Sequence, residues 1–209
     1  MVNKKNCIIL IPTFNDWISL NKLLSEIQNH IKKEKRNFEI YIVNDASTII
    51  NKSNFSKFKK FKKIKIIDLK KNSGSQIAIA VGLNKINKIK KQSDIIILDS
   101  DGEDNPYKIK TLLNELKNNE EKIIVASRSK RRENILLRIL NAFRLFVTYI
   151  LTGYYINFGN FSCFNKKLLS KIYNKRELCL SFSGTAQKYL DIKKIPIEKQ
   201  KRYFGNSKV

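Results

Sequence analysis

Cysteine is scarce in this chain of 209 residues, and the way it is used excludes whole classes of protein. The three cysteines, Cys7, Cys163 and Cys179, are odd in number and far apart. They fit neither a disulfide framework nor a metal-binding knuckle, so a reducing compartment is expected. The apolar run in "MVNKKNCIILIP" is too short for a signal peptide. Since no linker or internal repeat divides the sequence, a single domain over residues 1–209 is predicted.

Acidic residues are also few, with 18 Asp and Glu against 42 Lys and Arg, which gives a formal charge of +24. Lys, Asn and Ile are all over-used, as AT-rich coding would produce without selection for a binding surface. The basic segment from Asn51 to Lys71 is either a nucleic-acid or membrane patch or, more simply, a solvated loop and strand edge. Within it, Phe55, Phe58 and Phe61 fit a base-stacking platform or one buried face of a short helix.

Short apolar runs alternate with amphipathic helical patterns through the first 128 residues. The runs predict strands at "CIILIP", "FEIYIV", "IKIIDL", "DIIIL" and "KIIVASR". Helices are predicted after the first run, from Ser75 to Lys90, and at Pro106, where Asn105 is the expected cap. This alternation is typical of an α/β fold with a mainly parallel sheet covered by helices on both faces.

The region after residue 128 is less regular. In "ILLRILNAFRLFVTYILTGYY", polar residues recur at intervals of three or four, which predicts a helix with one polar stripe and a broad apolar face. No charge occurs from Leu145 to Asn165, a length that could cross a bilayer. Because Gly153, Asn157 and Gly159 interrupt that stretch, a core or membrane-surface helix followed by a strand at "NFGNFSCF" is the preferred interpretation.

The stretch "ILDSDGEDNP" concentrates acids at the end of the fourth predicted strand, where ligands bind in parallel sheets. Capping of the next helix explains Asp104, because carboxylates are stabilising near a helix N-terminus. Asp99 and Asp101 are better explained as two oxygen ligands that converge on Mg²⁺ or Mn²⁺. A calcium loop is excluded because Lys110 stands where such a loop needs a glutamate.

Four motifs in order, "IPTFND", "VNDAST", "NSGSQIAIAVGL" and "LDSDGEDNP", resemble those of family 2 glycosyltransferases. The resemblance extends from about Ile8 to the end of the chain, and "ASRSKRR", "FGNFSCFNKKLL" and "KRYFGNSK" support it. It points to the branch that includes the dolichyl-phosphate mannose and undecaprenyl-phosphate sugar synthases. It implies a GT-A (Rossmann-like) fold and a nucleotide-diphosphate sugar as donor, with a nucleotide-sugar half at about residues 1–128 and an acceptor half at about residues 129–209.

The same resemblance implies roles for individual residues. The base pocket would be lined by Pro12, Thr13 and Phe14, and Asp45 would bond the base or the ribose. The donor would also be bound by Asp99. Asp101 and Asp99 would hold the metal on the diphosphate, with Glu103 nearby. That metal would stabilise the negative charge that develops on the leaving diphosphate.

The chain departs from the family pattern in two places, and the second concerns the acceptor. Asn44 precedes Asp45 where two aspartates are usual, and "GNFS" replaces "Gly-Asp-Phe-Arg", so Asn160 and Ser162 stand where an acid and an arginine are common. A hydroxyl acceptor needs a general base, for which Asp104 or Glu103 could substitute. A lipid phosphate, with a second pKa of about 6, is already anionic and needs only cations. The candidates for that role are Arg128, Arg131, Arg132 and Arg138. The residues expected to be catalytic are Asp99, Asp101 and Arg128.

The resulting hypothesis is a metal-dependent enzyme that moves a sugar from a nucleotide donor to polyprenyl phosphate. We expect it to be cytoplasmic and peripheral at the inner face of the cell membrane, with no specific nucleic-acid partner. One alternative is transfer to a saccharide hydroxyl during surface-polysaccharide assembly. The other is a basic RNA- or membrane-binding module whose acids are incidental, and it would bind nucleic acid with a steep salt dependence.

Overall fold

Strands and helices alternate along most of the chain, which the structure, a computed structural model, describes over residues 5–128, 149–150 and 154–205. The elements are β1 (Asn6–Thr13), α1 (Trp17–His30), β2 (Asn37–Asn44), β3 (Phe61–Asp68), α2 (Ser75–Asn87), β4 (Ser93–Ile97), α3 (Ile109–Lys117), β5 (Ile123–Arg128), β6 (Phe158–Asn165), α4 (Phe182–Tyr189) and β7 (Ile192–Ile197). Asn105 caps a 3₁₀ turn, Pro106–Lys108, that leads into α3, and its side chain accepts the N–H of Tyr107 at 3.0 Å. The strand predictions and this cap are therefore confirmed.

The strands form one seven-stranded sheet in the order β3-β2-β1-β4-β6-β5-β7. β6 runs antiparallel to β4 and β5, and the other pairings are parallel. The carboxyl ends of six strands therefore share an edge with the amino end of β6. We call it the carboxyl edge of the sheet. The mainly parallel α/β fold that the sequence predicts is confirmed.

The antiparallel pairing of β6 with β4 decides what meets at the carboxyl edge. Ile97 lies opposite Ser162 in that pairing. Antiparallel register moves one strand back as the other moves forward. Two residues beyond Ile97, the chain reaches Asp99, and two residues before Ser162 it reaches Asn160. The fold thus sets Asn160 opposite Asp99, although 61 positions separate them in the sequence.

Apolar side chains cover both faces of the sheet. On one face, Cys7, Ile9 and Ile11 of β1 join a core with residues of α1 and α3. On the other face, Ile8 and Leu10 pack with residues of α2 and α4. Because the central strand is buried on both sides, its continuous apolar run gives no alternating pattern, as expected for a parallel sheet between helices.

The aromatic residues of the basic segment belong to the core. Phe58 is 3% exposed and Phe61 is 7% exposed, and Phe55 packs against the same cluster. Neighbouring rings lie 6.0 to 6.4 Å apart between centroids. These positions fit the buried-face interpretation of the spacing and leave few aromatic faces for stacking on bases.

The edge opposite the carboxyl edge carries a buried acid with a structural role. Asp94 of β4 is fully buried and pairs with the guanidinium of Arg36. The ammonium of Lys5 lies 3.5 Å from the same carboxylate. Breaking such a pair by removing one partner leaves an uncompensated buried charge. This acid is therefore explained without a ligand, unlike those at the other edge.

The polar-striped helix was predicted over residues 135–155, of which 135–148 and 151–153 lie outside the described residues. The strand predicted at "NFGNFSCF" is present as β6. Within the parts of the chain that the structure describes, no helix is long and apolar enough to cross a membrane.

Close packing of α2 on β1 and β2 generates a stability prediction at Gly82. A Cβ atom there would lie 2.4 Å from Cδ1 of Leu10 and 3.0 Å from Cγ2 of Val43. Both neighbours are fully buried, so neither has space to move into. We expect Gly82→Val to lower the free energy of unfolding by about 1–3 kcal/mol, the usual cost of overpacking.

The matched control is Lys85→Val on the exposed face of the same helix. It carries only the helix-propensity cost of valine, at most about 0.7 kcal/mol. Urea denaturation followed by circular dichroism measures both. Equal stabilities for the two variants would contradict the packing argument.

Candidate functional site

Two cavities open at the carboxyl edge of the sheet, and Asp99 lines both of them. The first cavity has a volume of about 240 Å³ and is lined by Pro12, Thr13, Phe14, Asp16, Asp45, Asn72, Gly74, Ser75, Asp99, Ser100, Asp101 and Arg202. The second has a volume of about 230 Å³ and is lined by Gln76, Asp99, Glu103, Asp104, Asn105, Ala126, Gly159, Asn160, Phe161, Ser183, Ile197, Glu198 and Lys199. Asp99 thus stands between two neighbouring spaces.

The first cavity brings together all the residues that the sequence assigns to donor binding. Pro12, Thr13 and Phe14 reach it from the end of β1. The buried hydroxyl of Thr13 has no hydrogen-bond partner among the described residues. A buried polar group without a partner is costly. A ligand in this cavity could satisfy it.

Asp45 lines the first cavity and also shapes it. Its two carboxylate oxygens accept the backbone N–H groups of Ser73 and Gly74, each at 2.8 Å. These bonds hold the loop that precedes α2 against the end of β2. Each carboxylate oxygen can accept more than one bond, so the predicted contact with the base or ribose stays a prediction.

Asn44, the first departure from the family pattern, has a local explanation. Its amide group donates to Asp68 at 2.8 Å, and its Oδ1 accepts the N–H of Ser47 at 3.1 Å. An aspartate at this position would have no proton to give to Asp68 and would repel it. The asparagine therefore suits an acid on the neighbouring strand.

Arg202 bridges two acids of the first cavity. Its guanidinium lies 2.5 Å from Asp16 and 3.1 Å from Asp101. This arginine was missed as a site residue, although it lies in the motif "KRYFGNSK". The first cavity therefore takes one wall from the C-terminal part of the chain and extends beyond the predicted nucleotide-sugar half.

The C-terminal segment reaches Arg202 along a defined path. The N–H of Gln200 donates to the carbonyl of Glu103 at 2.8 Å, and the N–H of Tyr203 donates to the carbonyl of Asp101 at 3.0 Å. Gly102 makes this approach possible, because a Cβ atom there would lie 2.1 Å from the Tyr203 ring. Its φ of +83° is also a conformation that glycine adopts most readily. The glycine in "DSDGED" is thus explained by packing.

The acids after β4 divide between the two cavities. Asp101 lines the first, whereas Glu103 and Asp104 line the second. Glu103 pairs with the ammonium of Lys199 at 2.6 Å. The predicted metal set of Asp101, Asp99 and Glu103 is therefore spread across both cavities.

Burial and mutual repulsion change the acidity of two of these carboxyl groups. Burial raises the pKa of Asp99, and the hydrogen bond from Asn160 and the charge of Asp101 act in opposite directions on it. Burial and the charge of Asp99 raise the pKa of Asp104 to about 7. Asp104 accepts the backbone N–H of Asp99 at 3.1 Å, which links the two groups directly.

A divalent cation fits only part of the predicted metal set. Asp99 and Asp101 offer carboxylate oxygens to the same cavity, which suits Mg²⁺ or Mn²⁺. Within the described ranges, no three His, Cys, Asp or Glu side chains are grouped closely enough to hold a metal. Mg²⁺ commonly takes one or two carboxylates and completes its shell with water and phosphate oxygens. Two aspartates plus a diphosphate meet that requirement without Glu103.

Of the arginines predicted to hold the acceptor, the structure places only the backbone of Arg128. This residue ends β5 at the carboxyl edge and pairs in register with Ile197 of β7, which lines the second cavity. Arg131, Arg132 and Arg138 lie outside the described residues. Gln76 and Ser183, which line the second cavity, were missed as site residues. Gln76 lies in the motif "NSGSQIAIAVGL", whereas no pattern in the sequence marks Ser183.

The mainly parallel sheet and the acid-lined cavities define a class of protein, the α/β proteins with a ligand site at the carboxyl edge of the sheet. The family model of Glycosyl transferase family 2 matches residues 8–177. The chain therefore belongs to glycosyl transferase family 2. No curated protein matches the sequence.

Solved structures of TarS from S. aureus share the fold. TarS 1-349 superposes with a TM-score of 0.55 at 17% identity, covering 93% of this chain and 59% of that chain. Its complex with UDP-GlcNAc gives 0.54 at 15% identity, with 94% and 60% covered. Its complex with UDP gives 0.57 at 18% identity, with 93% and 59% covered. The chain thus spans about three fifths of the length of these TarS chains.

The raised pKa of Asp104 predicts how its replacement changes stability with pH. The folded state holds its proton up to about pH 7, whereas the unfolded state loses it near pH 4. This group therefore costs stability as pH rises between those values, and the cost is complete above pH 7. We expect Asp104→Asn to be more stable than the wild type at pH 8.5, by about 1 kcal/mol or more, and to lose that advantage at pH 4.

Thermal unfolding in EDTA at both pH values measures the difference without bound metal. Asp191→Asn, at an exposed position, is the matched control. An advantage of Asp104→Asn that is the same at both pH values would contradict the assignment.

Proposed function

We propose that this glycosyltransferase transfers a sugar from a nucleotide-diphosphate donor held in the first cavity, with a divalent metal on the diphosphate. The observation that carries the proposal is the shared cavity of Asp99, Asp101 and the residues that follow β1. Family membership supports it, and so does the binding of UDP and UDP-GlcNAc by TarS structures with the same fold. The nucleotide base and the sugar of this chain's own donor are left open.

The reaction breaks the bond between the anomeric carbon and the diphosphate oxygen, and the diphosphate leaves with the electron pair. A new bond forms between the anomeric carbon and the acceptor oxygen. The bound metal would stabilise the negative charge on the leaving group. Arg202 lines the same cavity and is a second cation for the diphosphate. Asp99, which lines both cavities, faces the space where donor and acceptor would meet.

The metal assignment predicts that Asp101→Asn abolishes most activity. The replacement keeps the shape of the side chain. It also keeps an oxygen for the backbone N–H of Glu103, which donates to Oδ1 of Asp101 at 2.9 Å in the wild type. It removes the charge that a metal needs. We expect kcat to fall by at least ~10²-fold, as when a key electrostatic stabiliser is lost.

The assay measures release of nucleotide diphosphate from a panel of nucleotide sugars with and without Mn²⁺. Asp191→Asn again serves as the control for charge. Unchanged turnover in Asp101→Asn, or turnover in EDTA equal to that in Mn²⁺, would contradict a metal at Asp101.

The charge of the second cavity favours a hydroxyl acceptor. Its described lining contains four carboxylates, Asp99, Glu103, Asp104 and Glu198, and one ammonium, that of Lys199. The ammonium is already paired with Glu103. The first cavity has the same balance of four carboxylates and one paired cation, but there the proposed metal would offset it. Without a metal of its own, the second cavity would repel an anionic phosphate, whereas the hydroxyls of a saccharide find amide, hydroxyl and carboxylate partners. The acceptor proton would pass to a carboxylate of this cavity, with Asp104 or Glu198 as the candidates.

Transfer to polyprenyl phosphate is the second candidate, because apolar side chains are exposed among the described residues that follow the arginine-rich segment in the sequence. Tyr149 is 54% exposed, Ile150 is 63% exposed and Tyr155 is 55% exposed. Aromatic and aliphatic residues of this kind rest readily at a bilayer surface. The resemblance to the polyprenyl-phosphate sugar synthases adds support, and Arg128 would then hold the phosphate.

An acceptor comparison separates the two candidates. The wild type is offered a saccharide, a polyprenyl phosphate and the dephosphorylated polyprenol, with the donor found in the panel. The negative charge of the second cavity predicts transfer to the saccharide hydroxyl. In that case Arg128→Ala should change the acceptor KM by less than about threefold. Transfer to the lipid phosphate alone, with loss of transfer but intact donor binding in Arg128→Ala, would reverse this choice.

A further inference from the structure

Asp99 is reached from the far side of the second cavity by a chain of side-chain hydrogen bonds. Gln76, in the first turn of α2, accepts the backbone N–H of Phe182 at Oε1, with a distance of 2.7 Å. Its Nε2 donates to Oδ1 of Asn160 at 3.2 Å. Nδ2 of Asn160 then donates to Oδ1 of Asp99 at 3.1 Å. We call Gln76 and Asn160 the amide pair.

The direction of these bonds is fixed at both ends. A backbone N–H can only donate, so the oxygen of Gln76 must face Phe182 and its amide nitrogen must face Asn160. An ionised carboxylate can only accept, so the amide nitrogen of Asn160 must face Asp99. Each assignment requires the other, and no other arrangement of the two amides satisfies all three contacts.

We propose that the amide pair positions the carboxylate of Asp99 for sugar transfer. Gln76 and Asn160 are positioning residues, because they act through Asp99. The proposal rests on the proposed function, since Asp99 is useful only if donor and acceptor meet beside it. The pair fixes Oδ1 of Asp99 and thereby sets the rotation of the whole carboxylate between the two cavities.

This role explains the second departure from the family pattern. An aspartate at position 160 could still accept from Gln76, but it would have no proton for Asp99. Two carboxylates would then face each other, and each would disfavour the ionised form of the other. Asn160 supplies the donor that Asp99 needs, and Gln76 holds the asparagine in the orientation that supplies it.

Two isosteric variants test the direction of the bonds. Gln76→Glu replaces a donor by an acceptor and forces Asn160 to turn its oxygen towards Asp99. Asn160→Asp removes the amide N–H group that donates the hydrogen bond to Asp99. Neither variant changes the volume of the side chain, so a role in packing alone predicts unchanged kinetics for both. The matched control is Gln92→Glu, the same replacement at an exposed position.

The kinetic arm measures turnover of UDP-GlcNAc and the other nucleotide sugars of the panel, and the affinity for UDP by calorimetry. We expect kcat to fall about 10- to 100-fold in both variants, the scale of a misplaced reacting group. UDP affinity measured in EDTA should change by less than about twofold, because UDP then binds without the metal that Asp99 is proposed to hold. Wild-type kcat in either variant, or a higher kcat in Asn160→Asp, would overturn the proposal.

A second arm needs no substrate. The ¹³C resonance of the Asp99 carboxyl, identified by its loss in Asp99→Asn, reports the hydrogen bond at Oδ1. It should move in Gln76→Glu, which does not touch Asp99, and stay in place in Gln92→Glu. An unmoved resonance would overturn the amide pair. If the resonance moves but the wild type turns over no nucleotide sugar, the proposed function fails and the hydrogen-bond chain stands.

Discussion

Four carboxylates within six residues repel one another, and the site depends on how that repulsion is offset. Each acid has its own partner: Asp99 accepts a hydrogen bond from the amide of Asn160, Asp101 pairs with Arg202, Glu103 pairs with Lys199, and Asp104 accepts the backbone N–H of Asp99. Three of these partners come from residues 160–202, far along the chain. The repulsion among the acids after β4 is therefore offset only when the C-terminal part of the fold has packed against them.

The negative charge of these acids is only partly offset, and the charge that remains has a chemical use. Among the described residues, Asp104 has only a neutral backbone donor, and burial and the charge of Asp99 raise its pKa to about 7. A fully neutralised site would not attract a metal ion. A site with residual negative charge attracts a divalent cation, and the cation in turn attracts a diphosphate. The excess of acid over base at this point suits a metal–diphosphate complex, even though the whole chain is strongly basic.

Sequence patterns predicted the fold and the first cavity well, and the second cavity poorly. Strand ends in a parallel sheet share an edge, so Thr13, Asp45 and Asp99 could be brought together from local patterns alone. Asn160 was noticed only as a departure from a motif, because its contact with Asp99 depends on the antiparallel register of β6. Arg202 depends on the path of the segment after β7, and Gln76 depends on the packing of α2 against α4. Contacts of this kind arise from tertiary structure and leave no periodic signal.

The basic composition and the acidic site act over different distances. A formal charge of +24 raises the potential over the whole surface and draws anionic ligands towards the protein at low ionic strength. Inside the second cavity, the nearer carboxylates dominate, because Coulomb energy falls with distance and salt screens the distant lysines. An anionic donor can therefore be attracted by the protein as a whole and still be repelled from the second cavity, where no metal is proposed to offset the carboxylates. Such a division would keep the nucleotide diphosphate on one side of Asp99 and leave the other side to a neutral acceptor.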